Sequence, residues 1–94
     1  MNTSATLLGE IAQDQVFGSY YKVAKYLNVS TAYIYARRND GHLSDSNLIK
    51  LAKAVGIDPM VLISAKNMNY ARDEVSRAYW KSLFQKATAD VKIA

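Results

Sequence analysis

The chain has 94 residues, half of them hydrophobic, with no cysteine and a formal net charge of +4. That length suits a single domain with a small core and leaves no room for a separate catalytic or sensor domain. The composition excludes intrinsic disorder, and the lack of thiols excludes disulfides, thiolate metal sites and a cysteine nucleophile.

The basic excess fits a polyanionic partner, and equally fits ordinary solubility. A cysteine-free chain is compatible with a reducing cytoplasm, which is the expected location. The opening MNTSATLLGEIAQDQ lacks a basic segment followed by an apolar run, so no signal peptide is expected. The apolar stretch Met60 to Ile63 is far too short to span a bilayer.

In chain order, the pattern predicts short helices throughout. The first starts near Thr3 or Ser4 and runs to about Gln15, with Leu7, Leu8 and Ile11 as its buried face and Gly18 as a stop. Ser19 caps a second helix over Tyr20 to Leu27. Asn28 then turns the chain, since asparagine tolerates a left-handed backbone. Ser30 caps a third helix from Thr31 to about Asn39, ended by Gly41, and Val29 with Ile34 forms a hydrophobic staple around that cap.

His42 and Leu43 connect to a fourth helix capped by Ser44. Its core stripe is Leu48, Leu51, Ala52 and Val55, and Gly56 ends it. Leu43 with Leu48, and Ile57 with Leu62, repeat the staple. Asp58 and Pro59 open a fifth helix that ends near Ala71. Asp73 caps a sixth, from Glu74 to about Lys86, with a broad apolar stripe of Val75, Tyr79, Trp80, Leu83 and Phe84. From Thr88 on the chain is expected to fray. No alternating stretch argues for a strand. The expected fold is all-α, a compact bundle of five to six short helices forming a single domain over residues 1–94.

The segment Val23 to Ile34, VAKYLNVSTAYI, runs apolar, Ala, two polar, Leu, turn residue, apolar, Ser, three variable residues and Ile. It resembles the helix-turn-helix of the λ-repressor/Cro (XRE) class of transcription regulators. The resemblance spans about residues 5 to 65, with 4–66 as the core of such a domain and 73–87 as an added C-terminal helix. Asn28 stands where that class usually has Gly, and Arg37 where it usually has Trp or another apolar residue. The resemblance implies a Cro-like or repressor-like regulator from a bacteriophage or prophage, binding a palindromic double-stranded DNA operator as a homodimer.

Helical phase then sorts the third helix. Ile34 faces the core, while Ala32, Tyr35, Ala36 and Asn39 point away, with Thr31 at the edge. Thr31, Ala32, Tyr35 and Asn39 are the candidate base contacts. Asn39 has the groups to pair bidentately with adenine, and the small alanines let the helix sit deep in a major groove. Candidate phosphate contacts are Ser19 with the N-terminus of its helix, Tyr20, Tyr21, Lys22, Tyr33, Arg37 and Arg38. Each has a plainer role available. Tyr20 and Tyr21 suit packing, and Arg37 suits laying its stem over the core edge. Lys50 and Lys53 suit a solvated face.

Little points to catalysis. His42 is the one histidine and falls in a connector, no ligand cluster or glycine-rich phosphate loop is visible, and the carboxylates sit mostly at helix ends, where they suit capping. No enzyme activity, metal, cofactor, small-molecule substrate or membrane partner is expected. Tyr79, Trp80, Leu83 and Phe84 either close the core or form a dimer interface. The alternative function is a protein-interaction module on the same fold, an antitoxin or anti-repressor, or an architectural or excision factor. A solvent-facing Tyr35 and Asn39 beside a positive rim favour DNA; a buried Tyr35 and a neutral rim favour a protein partner.

Overall fold

Each helix opens on a short polar side chain that accepts a backbone N–H, the local instruction that starts a helix at that residue. The acceptors are Asn2, Ser19, Ser30, Ser44, Asp58 and Asp73. In the computed structural model, which describes residues 2–89, they begin α1 (Thr3–Gln13), α2 (Tyr20–Leu27), α3 (Thr31–Asp40), α4 (Asp45–Val55), α5 (Pro59–Tyr70) and α6 (Glu74–Ala89). The described residues contain no strand, so the fold is an all-α bundle. No described helix is long and apolar enough to cross a membrane.

The apolar stripes meet in one core. Leu8, Ile11 and Ala12 of α1, Val23, Ala24 and Leu27 of α2, Ile34 of α3, and Leu48, Leu51 and Ala52 of α4 form it with Phe17, Leu43 and Leu62. The three staples deliver Ile34, Leu43, Leu48 and Leu62 to this core, and half-buried Val29 and Ile57 pack against it. α1 lies against α2, α3 and α5, which joins the α2–α3 pair to the second half of the bundle. The Cα radius of gyration, 12.9 Å, is close to the ~12 Å expected of a single compact unit this long.

Two boundaries differ from the sequence expectation. α1 starts at Thr3 as expected, capped by Asn2, and Ser4 is buried: its hydroxyl donates to the Gly41 carbonyl at 2.8 Å. At its other end α1 stops at Gln13 instead of Gln15. The Asp14 carboxylate accepts from the Val16 N–H, and the Asp14 carbonyl accepts from the N–H groups of Phe17 and Gly18. This turn swings Phe17 into the core, where it is 4% exposed. α6 runs on to Ala89, so Thr88 and Ala89 are helical instead of frayed. The rest of that expectation, residues 90–94, lies outside the described residues.

The sixth helix does not close the central core. It packs against α5, and none of its residues joins the core cluster. Ser76, Trp80, Leu83, Phe84 and Thr88 are half-buried and Ala87 is buried, a stripe at helical spacing. Val61, Ser64 and Ala65 of α5 are buried outside the central core as well. α5 therefore has two covered faces, one toward α4 and α1, the other toward α6.

Candidate nucleic-acid interface

The α2–α3 corner is built by backbone bonding. The Val29 N–H reaches the Ala24 carbonyl at 3.0 Å and the Asn28 N–H reaches the Lys25 carbonyl at 3.2 Å. These are the paired bonds of a Schellman ending, which needs one left-handed residue. Asn28 supplies it, with φ 58° and ψ 45°. Among the described residues it is the one non-glycine at positive φ. Ser30 follows in extended conformation and accepts from the Tyr33 N–H at 3.0 Å, so α3 restarts three residues after α2 stops.

The far end of α3 is tied just as firmly. The Asp40 carbonyl accepts from the Asn2 side chain at 2.9 Å and from the Tyr70 hydroxyl; the Gly41 carbonyl accepts from Ser4. Carbonyls that a helix end leaves open are thus filled by α1 and α5. Asn69 accepts from the Ser4 N–H at 2.9 Å and joins the same knot. Gly41 has φ 63°, and a Cβ there would strike the backbone of Ser4 and Ala5, so this junction requires glycine. The outcome is a helix fixed at both ends on a rigid support.

α3 buries Ile34 completely and turns Ala32, Tyr33, Tyr35, Ala36, Arg38 and Asn39 to solvent, with Thr31 half-buried at the edge. Tyr35 is 43% exposed. The four candidate base contacts therefore share one outward face. Of the candidate phosphate contacts, Tyr21, Lys22, Tyr33 and Arg38 are exposed around it. Ser19 is half-buried and spends its hydroxyl on the Lys22 N–H, at the start of α2.

Two candidates are drawn inward. Tyr20 packs on the core, and its hydroxyl lies over Gly9, where an added Cβ would sit 3.2 Å away. Arg37 is half-buried, pairs with Asp40 at 3.3 Å and lies over the Tyr33 ring at 5.4 Å; its Nε is buried without a partner. The sequence offered the packed alternative for both; Tyr20 leans on α1, and Arg37 is held along α3 by Asp40 and Tyr33.

The cations on this side are interleaved with aromatic rings. Lys25 lies 5.5 Å from the Tyr21 ring and Arg38 5.3 Å from the Tyr35 ring, distances at which a cation is attracted to the ring face. Tyr35 in turn sits 5.7 Å from Tyr20. Lys22, Lys25 and Arg38 have no carboxylate partner among the described residues, so their charge is free to meet a ligand. The row Tyr20–Tyr35–Arg38 crosses from α2 to α3. No sequence signal gives it, because it depends on the angle at which the two helices cross.

Among the described residues no group of three or more His, Cys, Asp or Glu side chains is placed to hold a metal. His42 is exposed in its connector, with its ring edge-on to Tyr70 at 4.6 Å. Compared with protein-family models, curated proteins and solved structures, the chain matches none.

Proposed function

We propose that this protein is a sequence-specific double-stranded DNA-binding regulator of the λ-repressor/Cro-like type, with α3 in the major groove. One observation carries the reading. A Ser-capped helix tied down at both ends presents Ala32, Tyr35, Ala36 and Asn39 outward, beside unpaired Lys22 and Arg38. The VAKYLNVSTAYI resemblance supports it. An exposed Tyr35 and Asn39 beside a positive rim favour this reading over a protein-interaction module.

In this mechanism Asn39 and Thr31 meet base edges, and Ala32 and Ala36 allow close approach and meet thymine methyls. Arg38, Lys22, Tyr21, Tyr33 and the N-terminus of α2 position the domain on phosphates. Arg37 and Tyr20 hold the surface together from beneath. A single reading helix covers a small half-site, so two copies act on a two-fold operator, with their α3 helices about 34 Å apart. Regulation is by occupancy, which blocks or alters polymerase access. A phage or prophage setting is part of the same proposal.

The test is selection from a randomised DNA pool, followed by titration of the selected site across salt. Asn39→Ala is expected to weaken the selected site by about 1–3 kcal/mol while sparing bulk DNA. Arg38→Ala is expected to weaken all DNA and to reduce the salt slope by about one unit. A pool that enriches nothing sinks the proposal, and equal loss on every sequence removes Asn39 as a base reader.

A further inference from the structure

An open cleft of about 160 Å³ lies between the C-terminal half of α1 and the α4–α5 connection, lined by Leu7, Glu10, Ile11, Asp14, Val55 and Ile57. Its floor is apolar. Its rim carries two carboxylates one helical turn apart, Glu10 and Asp14, both exposed and neither ion-paired among the described residues. Two like charges on one rim repel, so the rim gains from a cation the monomer does not supply. A space of about 150 Å³ is enough to take a benzene ring. None of the lining residues belongs to α2 or α3, and the negative rim disfavours phosphate, so this is not an extension of the nucleic-acid face.

The complementary surface is on the same chain. The outer row of α6 is Val75, Tyr79, Ser82 and Lys86, spaced four, three and four residues apart, which keeps it on one side of the helix. Val75 is 82% exposed and Tyr79 60%. Tyr79 is therefore not consumed by packing on α5, whereas Trp80, Leu83 and Phe84 are half-buried in the stripe that faces α5.

We propose that the α1 cleft receives the Tyr79 ring of a second copy, with the partner's Lys86 set against Glu10 and Asp14. The register agrees. Leu7 lies seven positions before Asp14, the residue that caps the end of α1, and Tyr79 seven before Lys86, about 10 Å along each helix axis, so a ring seated over Leu7 and Ile11 brings the ammonium near Asp14 when the two helices run parallel. In a two-fold dimer each copy offers both the cleft and α6, so the contact forms twice. It assigns Tyr79 to a different neighbour from Trp80, Leu83 and Phe84. This rests on the self-association proposed above and not on the DNA-binding half of that reading.

Sedimentation of the full chain without DNA tests it. The wild type is expected to associate, more strongly at low salt. The Glu10→Lys/Asp14→Asn variant, in which Asn keeps the acceptor for the Val16 N–H, and the Lys86→Glu variant are each expected to associate at least about ten-fold more weakly, with unchanged helix content. Mixing the two is expected to restore association, because a reversed rim then meets a reversed α6. Tyr79→Ala is expected to weaken association without restoring partners. A monomeric wild type, association indifferent to these variants, or mixtures that stay apart would each overturn the contact. A chain that associates in this way yet selects no DNA site would sink the reading of α3 and leave the cleft contact standing.

Discussion

α4 and α6 carry similar amounts of apolar sequence and use it differently. In α4, Leu51 and Ala52 are fully buried and Leu48 nearly so. In α6, sixteen residues long, Ala87 alone is buried, and Trp80, Leu83 and Phe84 stay half-exposed. The cause is the number of neighbours: α4 packs on α2 and α5, while α6 packs chiefly on α5. A helix packed on one side recovers part of its hydrophobic free energy and leaves the remainder to solvent or to a partner. The first five helices therefore share the central core, and α6, docked on it through α5, is the element expected to open separately from that body.

Cutting into each region sharpens that contrast. Ile34→Ala empties a fully buried site beneath the outward face of α3. It is expected to cost about 2–5 kcal/mol in denaturant unfolding and to loosen every helix together. Trp80→Ala removes a larger side chain from a half-buried place. It is expected to cost less than the ~3 kcal/mol of a fully buried tryptophan, with the faster amide exchange concentrated in α6 and the facing side of α5. Equal losses, or equal exchange across the whole chain in both variants, would show that α6 belongs to the central body after all.

The same contrast decides what the sequence could disclose. Every helix was legible, because each start carries a local instruction: Ser19, Ser30, Ser44, Asp58 and Asp73 are caps visible from composition and spacing alone. The outward set on α3 was equally legible, since one buried residue, Ile34, fixes the phase of a helix. Phe17 was missed because Asp14-Gln15-Val16 continues a helical pattern, and only the Asp14 side-chain bond to Val16 breaks it. An Asp four residues before a Gly was the available signal. The knot of Ser4, Gly41 and Asn69 was not legible, because its members are 37 and 65 residues apart and only packing joins them. The neighbours of α6 were hidden for the same reason: a broad aromatic stripe says that a face is buried, not against what. The reading of α3 as a DNA contact rests on side-chain chemistry and resemblance, to which the fold adds exposure and rigidity.

The smallest expected effect isolates α6 by its cap. The Ser76 N–H donates to the Asp73 carboxylate at 2.7 Å and the Ser76 hydroxyl donates to it at 3.0 Å. These bonds, the backbone one foremost, favour the ionised carboxylate and hold its pKa below the ordinary 3.8. The sign follows from linkage. A carboxylate whose folded pKa is depressed contributes stability that is fully present above its unfolded value and is lost as pH falls through the folded one. Acid below about pH 3.8 is therefore expected to weaken the start of α6. The caps of α2, α3 and α4 are serines and do not titrate over that range. Amide exchange at Ser76 and Arg77, read against Tyr33 and Ile34, follows the difference. Asp73→Asn keeps a good cap without the titration, so it is expected to flatten the acid response of α6 and leave α3 unchanged. If α6 and α3 loosen in step as the pH falls, with and without that substitution, acid is acting on the whole bundle and the cap of α6 is not its point of entry.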